Sequence, residues 1–127
     1  MKILGYSWAG VPTQDFGKTM KFFEEVLGLP VEKRQDENDF GMFRLPSDQI
    51  FEVFGPKSTE HKFMTMPAIA FDVEDIYEAR AELESKGFQF ITEIELAPSG
   101  ETTWTYFVGP DGFLYEIWQR GMETDHE

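Results

Sequence analysis

The sequence contains no cysteine, and this absence excludes several kinds of protein. A chain without cysteine has no disulfide framework, no thiolate nucleophile and no cysteine-based metal site. Histidine is scarce as well: the two histidines, His61 and His126, do not stand at the spacing of a metal-binding pair. The lack of disulfides is compatible with the cytoplasm, which is the location that we expect.

Basic residues are few: 11 lysines and arginines stand against 24 aspartates and glutamates, for a net charge of −13. This charge repels phosphate backbones and anionic headgroups, so we expect no nucleic acid and no membrane as partner. Long hydrophobic runs are also missing. The apolar N-terminal stretch is interrupted by Gly5, Ser7, Gly10 and Pro12, and we expect neither a signal peptide nor a membrane span. The acidic field suits a neutral or cationic small molecule, or it only keeps the surface solvated.

Aromatic residues, by contrast, are plentiful, with 13 Phe, 3 Trp and 4 Tyr in a chain that is 41% hydrophobic. This composition favours a folded domain, and a length of 127 residues suits a single core. Each phenylalanine either fills that core or lines a pocket.

The first half of the chain, residues 1–55, has the pattern of one strand, one helix and three strands. Residues 3–11 read as a strand, and five apolar residues then recur at helical spacing before Gly28 ends the helix. These helical positions are Phe16, Met20, Phe23, Val26 and Leu27. Short apolar runs separated by polar turns predict three strands at 29–35, 39–45 and 49–55.

The same order restarts after a charged linker, residues 56–65, and occupies residues 66–120. A strand at 67–75 leads into a helix that begins at Asp75 and ends at Gly87. Further strands are predicted at 88–94, 102–109 and 112–119, the last two joined by the turn Pro110-Asp111-Gly112. With a frayed tail at 121–127, the chain is interpreted as one α+β domain, 1–127, made of two βαβββ halves.

The two halves also match in sequence. A shift of 60 residues places Val11–Asp15 on Phe71–Asp75, and a shift of 64 places FEVFGP (51–56) on YEIWQR (115–120). Glu52 and Glu116 therefore occupy equivalent positions in otherwise apolar strands. Such a carboxylate needs a cation, a raised pKa or a solvent-facing sheet edge, and its duplication favours a ligand-binding cleft over the edge.

These segments resemble the vicinal oxygen chelate superfamily, which includes glyoxalase I, extradiol dioxygenases and bleomycin-resistance proteins. The matching segments are VPTQD, KFFEEVLGLPV, PAIAFDVEDIYEARAELESKG and the ending GPDGFLYEIWQ. The resemblance covers nearly the whole chain and implies two βαβββ modules that form a curved mixed sheet around a cleft. It also implies a homodimer, with the halves paired either within one chain or between two.

In metal-dependent members, the resemblance implies a site of four strand positions, which here are Trp8, Glu52, Ala68 and Glu116. Trp8 cannot coordinate a metal and Ala68 has no donor atom. We therefore expect no cofactor, apart from a divalent metal ion held weakly by the two glutamates. His61 is a candidate substitute ligand, although a lone histidine in a polar linker is more often an exposed loop residue.

Candidate ligand-binding residues surround these positions. Trp8 either fills the core or forms a stacking wall for a planar or cationic ligand, while the small Ala68 and Ala70 leave space beside their strand. One face of the strand at 102–109 lines the pocket, and alternation alone does not decide which. The ligand-binding set is Trp8, Phe54, Ala68, Ala70, Trp104, Tyr106 and Trp118, with Glu52 and Glu116 as candidate general bases.

Three functions remain open at this point. The first is a non-catalytic protein that binds a small organic ligand, aromatic or cationic, in an acidic cleft without a complete metal site. The second is a lyase, isomerase or dioxygenase of the same fold, which uses a weakly held divalent metal or a glutamate as general base. The third is a different two-layer α+β domain, such as a ferredoxin-like dimer, in which the glutamates only face water.

Overall fold

The computed structural model describes residues 1–121, which divide into two units. The first unit is Ser7–Ala68, and the second consists of Met1–Tyr6 together with the chain from Ile69 onward. Strand β1 (Ile3–Pro12) begins in the second unit and ends in the first. Apart from Gly121, the tail that the sequence predicts to be frayed lies outside the described residues.

The first unit contains one helix and the strands that precede and follow it. Its elements after β1 are α1 (Phe16–Lys21), a π-helical turn (Phe22–Val26), β2 (Val31–Gln35), β3 (Phe40–Arg44) and β4 (Ile50–Phe54), with 3₁₀ turns at Asp36–Asn38 and Glu60–Lys62. The strand order is β2-β3-β4-β1. Antiparallel pairing joins β2, β3 and β4, whereas β4 and β1 run parallel. The predicted order of elements is confirmed in this half.

Helix α1 begins at an N-cap and changes its winding after six residues. The carboxylate of Asp15 accepts a hydrogen bond from the Lys18 backbone N–H at 3.0 Å, which satisfies one of the free donors of the first turn. The π-helical turn that follows adds a residue to the turn and so rotates later side chains away from the α-helical spacing. Val26 and Leu27, which the sequence places at helical spacing with Phe16 and Met20, are 70% and 53% exposed.

The core of the first unit lies between α1 and one face of its strands. Phe16 and Met20, one helical turn apart, pack with Phe43 and Val53, and all four are buried. Partly buried apolar side chains extend this cluster; they are Val11, Phe23, Leu29, Val31 and Phe51. The opposite face of the same strands is therefore free of the helix.

The second unit repeats the plan. Its elements are β5 (Ala68–Val73), α2 (Ile76–Ser85), β6 (Glu95–Leu96), β7 (Thr102–Val108) and β8 (Leu114–Arg120). The strand order is β5-β8-β7-β6, with β5 and β8 parallel and the other pairs antiparallel. Helix α2 covers one face through a cluster that contains Val73, Ile76, Ala79, Phe107 and Ile117. No helix within residues 1–121 is long and apolar enough to cross a bilayer.

The strand predicted at 88–94 is the element that the structure changes most. Only Phe90 forms a bridge there, opposite Phe107, and the short strand β6 comes later. The side chain of Thr92 explains the interruption, because its hydroxyl accepts the Tyr106 backbone N–H at 3.0 Å. A side-chain hydroxyl thus replaces the backbone carbonyl that a regular ladder would supply.

Candidate functional site

The strand registers place the two glutamates at equivalent positions, as the sequence repeat indicates. Glu52 on β4 lies opposite Gly10 on the parallel strand β1, and Glu116 on β8 lies opposite Ala70 on the parallel strand β5. Gly10 and Ala70 are 60 residues apart, which is the shift found in the sequence. Each glutamate therefore stands beside the first strand of its half, on the sheet face that the helix does not cover.

In the first unit, Glu52 is held by the indole of Trp8. The indole Nε1–H donates a hydrogen bond to Oε1 of Glu52 at 2.8 Å, and Trp8 itself is 4% exposed. Gly10 makes this arrangement possible, since a Cβ atom at that position would lie 2.4 Å from Cη2 of Trp8. The ring thus lies directly over the glycine, and any larger residue would displace it.

The pKa of the Glu52 carboxyl is raised above its ordinary value of 4.5. Burial is the main cause and raises its pKa to about 7, and the nearby negative charge of Glu60 acts in the same direction. The hydrogen bond from Trp8 and the positive charge of Lys33 oppose this rise without cancelling it. Glu52 as a whole keeps partial exposure to solvent. Glu52 therefore changes between its protonated and its ionised form near neutral pH.

Aromatic rings lie on the same sheet face as Glu52. The ring centroids of Trp8 and Phe54 are 6.4 Å apart, and those of Phe54 and Phe40 are 5.8 Å apart. Met42 lies directly opposite Glu52 on the neighbouring strand. Alternation along β3 and β4 puts these side chains on the helix-free face, with Lys33 at its edge. We call this surface the Glu52 face; its residues are Trp8, Lys33, Phe40, Met42, Glu52 and Phe54.

The second unit carries a corresponding face. In the pairing of β7 with β8, Tyr106 lies opposite Glu116 and Trp104 opposite Trp118. The structure shows which face of β7 the helix covers. The Thr105 hydroxyl accepts a hydrogen bond from Arg80 of α2, so the neighbouring Trp104 and Tyr106 point to the helix-free side. Glu116 is 2% exposed and Trp118 6%, whereas Trp104 keeps partial exposure.

The predicted site residues are thus distributed over two faces. Trp8, Glu52, Phe54 and Ala68 belong to the first unit, and Ala70, Trp104, Tyr106, Glu116 and Trp118 to the second. The sequence interpretation missed Gly10, Lys33, Phe40 and Met42. The alternation in DFGMFRL puts Phe40 and Met42 on one side of their strand, and this signal could have identified them.

The first unit does not fit the metal site that the family resemblance implies. One carboxylate oxygen of Glu52 already accepts the Trp8 N–H, and Ala68 offers no donor atom. Within residues 1–121, no three side chains of His, Cys, Asp and Glu are arranged to hold a metal ion. His61 lies instead beside Gln14, with 3.5 Å between its Nε2 and the amide nitrogen. The described residues of the first unit therefore do not fit a bound divalent cation.

Two βαβββ halves, each with a glutamate beside its first strand, define the class of glyoxalase-like α+β domains. The model of the Glyoxalase/Bleomycin resistance protein/Dioxygenase superfamily matches residues 5–117, and the chain belongs to this family. The predicted family and fold class are therefore confirmed.

Individual relatives are distant. The uncharacterized protein YraH of Bacillus subtilis (strain 168) is 27% identical over 119 residues, which cover 83% of this chain and 90% of YraH. A superfamily member from Vibrio splendidus 12B01 has a TM-score of 0.67 at 18% identity, covering 87% of this chain and 95% of its own. Methylmalonyl-CoA epimerase from Mycobacterium tuberculosis has a TM-score of 0.70 at 18% identity, covering 98% of this chain and 93% of its own. At such identities the solved structures establish the fold alone.

Proposed function

We propose that this protein binds a small aromatic molecule on the Glu52 face without the help of a metal ion. The observation that carries the proposal is the Trp8–Glu52 hydrogen bond of 2.8 Å, at the positions where the resemblance implies metal ligands. Phe54 and Phe40 supply ring surfaces beside this polar pair, and an apolar site with one or two polar anchors is typical of small-molecule binding.

The charge of the chain points to a cationic group on that molecule. A net charge of −13 attracts cations, and Glu52 offers a carboxylate to an ammonium group once its proton has left. Because the pKa of Glu52 is about 7, the ionised form is roughly a tenth of the protein at pH 6 and nearly all of it at pH 8.5. Binding of a cation to this carboxylate should therefore strengthen about tenfold between these pH values.

Benzylamine and benzyl alcohol make a matched pair of probes, since both carry a phenyl ring and only the amine is charged. We expect benzylamine to shift the indole N–H signal of Trp8 in a ¹⁵N–¹H spectrum, with an affinity that increases from pH 6 to pH 8.5. Benzyl alcohol should show no such pH dependence, and Glu52→Gln should abolish it for benzylamine. If benzylamine perturbs neither Trp8 nor Phe54, or if Glu52→Gln retains the full pH dependence, the proposal is wrong.

A second candidate function is proton transfer, in which Glu52 acts as a general acid–base. The observation that favours it is the pKa of about 7, because a catalytic group works best when its pKa is near the working pH. The hydrogen bond from Trp8 would orient the carboxyl for this proton transfer.

Methylmalonyl-CoA is a reasonable first substrate to test, because an epimerase for it has the same fold. In deuterated water, proton abstraction beside the thioester would be followed by incorporation of deuterium at that carbon. We expect incorporation with the unaltered protein and its loss in Glu52→Gln. Equal rates in both proteins would exclude Glu52 as the base.

A further inference from the structure

We infer that Trp118 in the second unit donates its indole N–H to a bound small molecule through a carbonyl or carboxylate oxygen. This inference rests on the proposed function only in that the protein binds a small organic compound. It concerns a different residue, a different unit and a different hydrogen-bonding group of the ligand. The indole of Trp118 is a donor only, so its partner must be an acceptor.

The starting observation is the state of the Trp118 side chain. Trp118 is 6% exposed, and its Nε1 atom is buried without a hydrogen-bond partner among the described residues. Trp8 shows the ordinary situation, since its Nε1 donates to Glu52 at 2.8 Å. Because a buried donor without an acceptor destabilises a fold, an indole N–H in such a place is nearly always paired. An acceptor from outside the chain would satisfy it.

A positive charge beside Trp118 indicates which kind of acceptor is favoured. The guanidinium of Arg120 lies 5.1 Å from the ring centroid, and Arg120 is exposed at the end of β8. Its positive charge favours an oxygen that carries full or partial negative charge.

The neighbouring side chains favour a planar ligand. Trp104 lies directly opposite Trp118 on β7 and is partly exposed, and Tyr106 stands on the same face. Indole and phenol rings stack on flat groups. The ligand class is therefore an aromatic or otherwise planar compound with a carbonyl or carboxylate oxygen.

The three tryptophans give a direct test, because each contributes one indole signal to a ¹⁵N–¹H spectrum and each can be assigned by its loss in a Trp→Phe variant. N,N-dimethylbenzamide and benzoate are the probes that carry an acceptor oxygen and no donor. Benzylamine, which is a donor at neutral pH, is the matched control. We expect both acceptor probes to move the Trp118 indole proton downfield, as a new hydrogen bond does, and benzylamine to leave it in place.

Affinity measurements on variants make the second arm of the test. Trp118→Phe keeps a ring and removes the N–H, and it should weaken benzoate binding roughly tenfold, the effect of losing one hydrogen bond to a charged acceptor. Tyr115→Phe is the control on the same strand: its hydroxyl donates to Asp111 at 2.6 Å on the other side of the sheet, and its loss should not change benzoate affinity.

The inference is overturned if neither acceptor probe moves the Trp118 signal, or if benzylamine moves it equally. It is also overturned if benzoate affinity is unchanged in a folded Trp118→Phe variant; if that variant does not fold, the spectra of the unaltered protein decide. Failure of the proposed function would look different. Benzylamine would leave the Trp8 signal in place, or Glu52→Gln would retain the pH dependence of benzylamine binding, while the Trp118 shifts with the acceptor probes would persist.

Discussion

Replacing Glu52 by glutamine should change how the stability of the protein depends on pH. Glutamine keeps an oxygen that can accept the Trp8 N–H but has no proton to lose. In the unaltered protein, the folded state raises the pKa of Glu52 above its ordinary value of 4.5, so it binds the proton more tightly than the unfolded chain does. This contribution to stability is complete below pH 4.5 and is lost as the pH rises through 7.

The size of the effect follows from the two pKa values. A pKa of about 7 in the folded state against 4.5 in the unfolded state corresponds to about 3 kcal/mol in total. Some of this contribution to the free energy of unfolding is already lost at pH 5, so roughly 2.5 kcal/mol should be lost between pH 5 and pH 8.5. Relative to the unaltered protein, Glu52→Gln should therefore gain about that much stability over this range.

Urea unfolding of both proteins at several pH values measures this difference, and contributions from other titrating groups cancel in it. Glu32→Gln is the control. The hydrogen bond from Arg44 lowers the pKa of Glu32, so its contribution changes only below the ordinary pKa and should be flat from pH 5 to pH 8.5. A difference between Glu52→Gln and the unaltered protein that does not vary with pH would refute the reasoning, because Glu52 would then ionise as an ordinary surface carboxyl does.

Three further changes test other contacts. Gly10→Ala should displace the Trp8 ring and destabilise the fold by about 1–3 kcal/mol in urea unfolding, whereas Gly17→Ala, where a Cβ meets nothing within 4 Å, should be neutral or slightly stabilising. Thr92→Val should cost about 1–2 kcal/mol through loss of the hydroxyl that accepts the Tyr106 N–H, and Thr92→Ser should recover part of it; equal stabilities would argue against this hydrogen bond. Nickel, zinc or manganese should leave the unfolding temperature unchanged, and an increase of many degrees with one ion would show that the donor set does hold a metal.

The sequence predicts the fold well because its strongest signals are local and duplicated. The helix start at Asp75, the turn at residues 109–112 and the shift of 60 residues all appear as expected in the structure. The strand at 88–94 was predicted wrongly because a threonine hydroxyl, which fits the β pattern, interrupts the backbone ladder. The π-helical turn also left no signal, since apolar spacing does not reveal one added residue.

The candidate site was predictable only in part. The repeat identified Glu52 and Glu116 as equivalent, and the registers agree. The hydrogen bond from Trp8 to Glu52 was not expected, because it depends on the indole lying over Gly10 rather than on the type of residue alone. The sequence left open whether Trp8 fills the core or lines a pocket; in the structure its indole N–H donates to Oε1 of Glu52. The homodimer and the cytoplasmic location stay predictions.

The central claim is that Glu52 holds a proton near neutral pH beside the indole of Trp8. A carbon-13 NMR titration of the Glu52 side-chain carboxyl, assigned by the loss of its signal in Glu52→Gln, measures this directly. We expect a midpoint near pH 7, accompanied at the same pH by a shift of the Trp8 indole proton. A midpoint near the ordinary value of 4.5, with the Trp8 signal constant around neutral pH, would contradict the claim.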